Sequence, residues 1–555
     1  MENPTISQRR SLMSNSICDI IKPVNEQVPG YLPGSPEREE LKRKLSEMQK
    51  TEIEVPLIIN GEEIRTRNMG TCVMPHNTSH VLCRYHMAGE KETAMAVEAA
   101  LDAKRQWQAM SWEHRLSIFL KAAELLSGPW RQTLNASTML GQSKTVFETD
   151  AEAACELMDF FRYNCYFARK IMEDQPRTMT GVFNRVQYRP LEGFVFAVTP
   201  FNFTAIGGNL PTSPAMLGNT VVWKPASAAI YSNYHLMRML QAAGLPAGVI
   251  NFVPGSGSKV GPMVMQHSLL AGVHFTGSTE VFNDMWTTVG KHIGSYRSYP
   301  RIVGETGGKD FLFAHPTADE EALIPAIIAG GFSYQGQKCS ASSRVYIPES
   351  IWKRIETRLT EEVESITMGD VTDFTTYMGA VIDRSAFDSI KGYIDHARES
   401  DRAKIIAGGE CNDKEGFFIR PTLILTDDPK FKTMEEEIFG PVVTIYVYED
   451  KDLDHALELC DNTSKYALTG GIFAQDRQAV EKMENRLYYS AGNLYINDKT
   501  TGAFVGMQPF GGARGSGTNE KVATRQNLLR WASPRTIKEN FTPGYDFRFD
   551  LMQEA

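Results

Sequence analysis

Four short apolar runs, Phe194–Val198, Thr220–Trp223, Val249–Val253 and Val273–Phe275, begin 26, 29 and 24 residues apart, at positions 194, 220, 249 and 273. Neighbouring parallel strands cannot be joined by a tight turn. The chain has to cross back over the sheet, and a strand, a returning helix and the next strand take about 30 residues. The spacing therefore predicts a parallel sheet with helices packed on its faces. A second set of runs, Arg344–Ile347, Lys404–Ala407, Val442–Val447, Leu468–Phe473 and Asn493–Ile496, predicts a second α/β unit, with the joint near 310–330. Before the first run, Ala94, Val97 and Leu101, and then Leu116, Phe119, Leu120 and Ala123, recur at helical spacing. Gly181–Pro190 alternates and carries arginine, which reads as a hairpin standing off the first unit.

With 555 residues the chain is long enough for several units and a large core, so it needs neither disulfide nor metal to fold. Its 58 Lys+Arg against 67 Asp+Glu leave a net charge of −9, which repels phosphate polyanions and argues against nucleic acid as the main partner. The most apolar stretch, 191–223, is interrupted by Glu192, Pro200, Asn202, Asn209, Pro211 and Asn219, so no membrane span is expected. The eight cysteines are scattered without a C-x-x-C pair, a pattern of reduced thiols rather than of a disulfide framework or a zinc site. Residues 1–18 hold Arg9, Arg10, several serines and a single acid, Glu2. This composition suits a mitochondrial presequence or a mobile polar arm.

A dinucleotide cofactor needs backbone N–H groups beside its pyrophosphate, which glycines at a strand-to-helix turn permit. The turn after Val249–Val253 reads Gly255-Ser256-Gly257-Ser258-Lys259-Val260-Gly261, one residue longer than the usual fingerprint; alone it is equally a glycine-rich loop without a ligand. The next apolar run ends in a second small-residue turn, Thr276-Gly277-Ser278-Thr279-Glu280. Lys224, closing Val221-Val222-Trp223, is either a ribose-binding lysine or an ordinary solvated one.

Covalent chemistry is suggested by Phe332-Ser333-Tyr334-Gln335-Gly336-Gln337-Lys338-Cys339-Ser340, with Gly304-Glu305-Thr306-Gly307-Gly308-Lys309 upstream. A thiol can add to an aldehyde and hold the oxidised product as a thioester, and a carboxylate can then activate water to cleave it. The thiol must be activated, since only a few per cent of an ordinary one is ionised at neutral pH. Lys338 points away in an extended segment, so other cations or a helix N-terminus are expected to do this. Taken singly, Cys339 is equally a buried structural thiol and Glu305 a surface carboxylate.

Phe332-x-x-x-Gly336-Gln337-x-Cys339 and Glu305-x-Gly307-Gly308-Lys309 resemble the cysteine and glutamate signatures of the aldehyde dehydrogenase superfamily. Thr199-Pro200-Phe201-Asn202-Phe203, Trp223-Lys224-Pro225, Phe275-Thr276-Gly277-Ser278 and Glu437-Ile438-Phe439-Gly440-Pro441 match further motifs in order, over the chain from roughly 30 onward. The resemblance implies an α/β fold: a Rossmann-type cofactor domain, a parallel-sheet catalytic domain and a small oligomerisation hairpin. On this sequence the implied units are an arm at 1–30, a cofactor domain at 31–313 interrupted by the hairpin near 175–193, and a catalytic domain at 314–495. An anchor loop and a C-terminal segment returning to the oligomerisation region, 496–555, complete the chain. Cys339 is implied as nucleophile and Glu305 as base. The side-chain amide of Asn202 joins the Cys339 backbone N–H in an oxyanion hole. The implied cofactor is NAD, with Lys224 and Glu437 on ribose hydroxyls and Thr199, Phe439, Gly277, Ser278, Thr279, Glu280 and Val281 lining the rest. Ser227 stands where many relatives carry glutamate, which leaves the choice between NAD and NADP open.

Phe201–Leu210, Ile496–Ala503 and Gln508–Arg514 resemble one branch of that superfamily, the Δ1-pyrroline-5-carboxylate dehydrogenases. These oxidise L-glutamate γ-semialdehyde to L-glutamate in proline breakdown. The branch implies substrate contacts from Phe203 and Phe510 on the methylene chain, and from Ser340, Gly502 and Ala503 on the α-carboxylate. It also implies a homodimer or higher homo-oligomer and the mitochondrial matrix, with the cytosol as the alternative. The competing readings are another semialdehyde dehydrogenase and a non-enzymatic protein that keeps the fold. A serine hydrolase is disfavoured, because no G-x-S-x-G occurs.

Overall fold

A computed structural model describes residues 18–552, so the presequence-like stretch up to residue 17 lies outside the described residues. Two seven-stranded sheets organise the chain. Across the first, the strands run Arg301–Glu305, Leu270–Thr276, Phe194–Val198, Val221–Lys224, Ile250–Phe252, Leu57–Ile59 and Glu62–Ile64. The first five are parallel; the last two form an antiparallel hairpin. Asn60 and Gly61 make its turn at φ 53° and 79°, the positive values a two-residue hairpin turn requires. Across the second sheet the order is Ala403–Ala407, Thr422–Thr426, Val442–Tyr448, Ser342–Pro348, Asp310–Ala314, Thr469–Phe473 and Asn493–Ile496, parallel except for the first strand.

Side chains alternate between the faces of a strand, and both faces of both sheets are covered. Phe194 and Phe196 enter one core while Val195 and Ala197 enter another. In the second sheet Phe311 and Phe313 pack on one side, Leu312 and Ala314 on the other. Strands buried on both sides read as continuous apolar runs, which is why they stand out in the sequence.

Three expectations are corrected by the fold. The chain passes from the first sheet to the second across 306–309, so Asp310–Ala314 belongs to the second sheet rather than to a first unit ending at 313. The stretch near 175–193 is not a local hairpin. Val182–Pro190 pairs antiparallel with Ala532–Asn540, a partner 350 residues away that alternation alone cannot identify. The helix Glu90–Ala109 forms as expected, but Ala94 is exposed and the buried face is Thr93, Ala96, Val97 and Ala100.

Candidate active site

In doubly wound sheets ligands gather at the carboxyl ends of the strands. Here those ends deliver Thr199 after Val198, Lys224 at the end of its strand, Gly277 after Thr276 and Glu305 at the last strand position. The first three open into a cavity of about 820 Å³ that also takes in Asn202, Gly257, Ser278, Val281, Glu437, Phe439 and Cys339. A second cavity, of about 310 Å³, is lined by Phe203, Glu305, Ser340, Gly502, Ala503 and Phe510. Cys339 and Ile206 belong to both. The thiol therefore lies where the two spaces meet.

The turn that presents the thiol is unusual. After the helix Glu320–Phe332, Tyr334, Gln335 and Gly336 stand at φ 48°, 57° and 64°. Successive left-handed residues are costly unless the surroundings hold them. The Tyr334 hydroxyl donates to the Gln142 carbonyl at 2.9 Å. Gln335 Nε2 donates to the Ser143 and Ala380 carbonyls at 3.0 and 2.7 Å, and its Oε1 accepts from Gly379 N–H at 3.1 Å. A Cβ on Gly336 would stand 2.2 Å from the Gly440 carbonyl oxygen, so only glycine fits.

Asn202 is buried, and its Nδ2 donates to the Gln337 carbonyl at 3.0 Å, two residues before Cys339. A carboxamide has two N–H donors, so one remains for an oxygen developing beside the sulfur. The electrostatics of the thiol differ from expectation. Burial pushes Cys339 well above the ordinary thiol range, and the carboxylates of Glu305, Asp310 and Glu437 push it further. A hydrogen bond from the Cys339 backbone N–H opposes them. Lys338 turns into the second cavity, where Glu152 Oε1 takes its ammonium at 2.5 Å. Glu305 is also held protonated: burial lifts it to about 8, against the pull of Lys521, and its Oε1 has no hydrogen-bond partner among the described residues.

The first cavity suits a nicotinamide dinucleotide. Lys224 is 9% exposed, its Nζ makes one hydrogen bond, to the Pro225 carbonyl at 3.0 Å, and burial lowers it to about 8. Glu437 accepts from Gly308 N–H through Oε1 at 2.8 Å, and burial raises it to about 7. A buried ammonium and a carboxylate with donor and acceptor capacity to spare are what ribose hydroxyls need. Gly257 leaves an open approach beside Lys224, with Lys224 Cε the nearest atom to its absent Cβ at 3.7 Å. Thr199 Oγ1 accepts from Trp223 Nε1 at 3.0 Å, and Phe439, at φ 58°, packs edge-on against Phe201. Thr279 and Glu280 do not line the cavity. Ser278 caps the helix Thr279–Lys291, which turns Val281 toward the cavity, the Thr279 hydroxyl to Tyr466 and Glu280 to solvent. Ser227 does not line it either; it opens the turn Ser227–Ala229.

In the second cavity, Thr500 ties the loop before Gly502 to the segment after the thiol, donating from Oγ1 to the Ser340 carbonyl at 2.6 Å. Gly502 stands at φ 93° and Thr501 is buried. The opposite wall is acidic and was not foreseen. Glu148, Glu152 and Glu156 fall four residues apart along one helix, about one per turn, and face the cavity; Lys144 stands four residues earlier, just ahead of the helix start at Val146. That spacing is the signal that could have found them. The helix carries a π segment at Asp150–Cys155, a feature frequent at functional sites. Lys144 is fully buried, with its ammonium 4.2 Å above the Phe203 ring and paired with Glu152 at 2.5 Å.

Comparison with known proteins agrees with this geometry. The model of the Aldehyde dehydrogenase family matches residues 64–537. The chain is 48% identical to "Delta-1-pyrroline-5-carboxylate dehydrogenase, mitochondrial" of Dictyostelium discoideum, over 98% of each chain. It is 49% identical to "Delta-1-pyrroline-5-carboxylate dehydrogenase" of Agaricus bisporus, over 95% of this chain and 97% of that one. Among solved structures, the Delta-pyrroline-5-carboxylate dehydrogenase from Mycobacterium tuberculosis bound with NAD superposes with a TM-score of 0.94 at 47% identity, covering 98% of this chain and 100% of that one.

Proposed function

The chain belongs to the aldehyde dehydrogenase family, and on that footing we propose that it oxidises L-glutamate γ-semialdehyde, the open form of Δ1-pyrroline-5-carboxylate, to L-glutamate with NAD, a step of proline breakdown. The observation that carries this reading is the position of Cys339, on the boundary between a dinucleotide-sized cavity and a smaller one lined by Thr501, Gly502 and Ala503.

The sulfur of Cys339 adds to the aldehyde carbon, its proton passing to solvent water, and the electron pair of the C=O π bond moves onto the oxygen as an alkoxide. The second Asn202 N–H and the Cys339 backbone N–H stabilise that oxygen. When bound, the nicotinamide dinucleotide supplies the hydride acceptor. The carbonyl re-forms as a thioester on Cys339. Glu305, in carboxylate form, takes a proton from water as the water oxygen attacks; the C–S bond breaks and Glu305 passes that proton to the departing sulfur. Phe203 and Phe510 flank the methylene chain and exclude bulk water. Ser340 and the Gly502–Ala503 backbone bind the α-carboxylate, which sets the aldehyde against the sulfur. Lys224 and Glu437 hold the cofactor ribose, with Thr199, Gly277, Ser278, Val281 and Phe439 around it.

The same reading assigns the enzyme to the mitochondrial matrix, as the name of the Dictyostelium relative does for that protein. It also makes the ribbon of Val182–Pro190 and Ala532–Asn540 an assembly element of a homo-oligomer. Sedimentation as a single protomer contradicts that last point. The substrate assignment is tested by comparing kcat/KM for pyrroline-5-carboxylate, succinate semialdehyde and acetaldehyde with NAD. The first is expected to exceed the others by at least about a hundredfold, since both ends of the substrate are bound; equal turnover of the simple aldehydes rejects the assignment.

A further inference from the structure

The segment Pro23–Val28 has no regular secondary structure and lies ahead of the stretch matched by the family model, yet it is tied down along its length. It runs beside the helix Glu156–Glu173. The Tyr163 hydroxyl donates to the Pro23 carbonyl at 3.1 Å and lies 3.2 Å from Asn25 Oδ1. Glu26 N–H donates to Asp159 Oδ1 at 2.9 Å, and the Glu26 carboxylate accepts from Arg131 at 3.1 Å and Arg162 at 2.6 Å. Arg131 also donates to the Gln27 carbonyl at 3.1 Å. Glu26 and Val28 then form part of the wall of the cavity that holds Cys339 and Glu305.

Asn25 is the junction. Its Nδ2 donates at 2.8 Å to Asp159 Oδ2 and at 2.8 Å to the carbonyl of Val505. Val505 sits two residues after Ala503, in the loop that presents the proposed carboxylate anchor. The next residue, Gly506, stands at φ 78° and packs so closely on Tyr163 that a Cβ would lie 2.2 Å from the ring. Val505 and Gly506 are thus held by one knot of Asn25, Tyr163 and Asp159. The far end of the loop is held separately, Asn493 Nδ2 donating to the Pro509 carbonyl at 3.0 Å and Val522 N–H to the Phe510 carbonyl at 2.8 Å, while Gly502, Phe504, Met507 and Gln508 between are exposed.

We propose that Pro23–Val28 is a strap that fixes the 501–510 loop, and that Asn25 is a positioning residue for the substrate carboxylate, acting through Val505 on Gly502 and Ala503. The inference rests on the functional reading above, in which those backbone N–H groups bind the carboxylate. A loop released at Val505 has to be ordered by the substrate itself. That cost falls on binding of a carboxylate-bearing aldehyde and not on the chemistry at Cys339.

Asn25→Ala is expected to raise KM for pyrroline-5-carboxylate by about tenfold, the scale of one buried hydrogen bond. Within about twofold, kcat, KM for acetaldehyde and the affinity for NAD are expected to stay unchanged. Destabilisation of the whole site would move both aldehydes together. An unchanged KM for pyrroline-5-carboxylate, or an equal rise for both aldehydes, overturns the proposal. A second measurement needs no variant. In wild-type protein, saturating L-glutamate, which carries the same α-carboxylate, is expected to slow amide hydrogen exchange at residue 26 together with 501–510. Protection of 501–510 alone overturns the strap and leaves the functional reading standing. Absence of pyrroline-5-carboxylate turnover in the wild type overturns that reading and the strap with it.

Discussion

Three acids bear on the Cys339 thiol, and their protonation sets how the proposed site works. Cys339 is half-buried, and desolvation together with the carboxyl groups of Glu305, Asp310 and Glu437 pushes its thiol up, so thiolate is disfavoured in the resting site. Glu305, raised to about 8 by burial, is mostly protonated at neutral pH and becomes a base only as pH rises through that value. Thioester hydrolysis is therefore expected to increase about tenfold per pH unit up to about pH 8 and then level off. Single-turnover quench experiments on the deacylation step check this; a flat profile between about pH 6 and 9 contradicts it. The sign for stability runs the other way. Because the folded value exceeds the unfolded one, Glu305 contributes stability that is complete below about 4.5 and is lost as pH rises through about 8. Most groups assigned here could be found in the sequence because each sits in a short motif. The acids of the second cavity, Glu148, Glu152 and Glu156, could not be found that way: their signal is a helical spacing rather than a motif. The direction of Lys338 was also hidden, since its partner Glu152 lies 186 residues earlier.

At the scale of elements, the decisive piece is the turn Ser333–Gly336, which joins a helix to the segment holding Cys339 through three left-handed residues. It survives because Gln142, Ser143, Gly379 and Ala380 hold it by hydrogen bonds and because Gly336 has no Cβ to meet Gly440. Gly336→Ala is expected to displace Cys339, with turnover falling at least about tenfold and stability by about 2 kcal/mol. Steady-state kinetics and a denaturant melt read the two effects, and full activity in the variant would remove the turn from the positioning of the thiol. Parallel strands such as Phe194–Val198 were legible as apolar runs because both of their faces are buried. The ribbon of Val182–Pro190 with Ala532–Asn540 was legible only by half. Its alternation is local information; its partner is not. The strand Asp310–Ala314 was missed as a strand because it directly follows a glycine pair that reads as motif and loop.

Across the whole molecule, the two sheets divide the labour. The first brings Thr199, Lys224 and Glu305 to its carboxyl edge, and the segment leading into the second brings Cys339. The crossing at 306–309 is short, so Glu305 at the end of one sheet and Asp310 at the start of the other both bear on the same thiol. C-terminal residues complete the arrangement, with Ser516 O accepting from Thr306 N–H at 3.0 Å and Thr518 Oγ1 from Gly304 N–H at 3.0 Å. The division into two α/β units could be read from the rhythm of the sequence. That segments far apart in the chain, the strap at 23–28 and the stretch at 515–518, return to the site is a property of the folded whole. The most direct measurement is peptide mass spectrometry of Glu305→Gln mixed with pyrroline-5-carboxylate and NAD. A glutamyl adduct is expected on the peptide holding Cys339, formed in step with a burst of NADH and persisting long after wild-type enzyme has turned it over. A burst without an adduct, or an adduct on any other residue, contradicts the covalent route through Cys339.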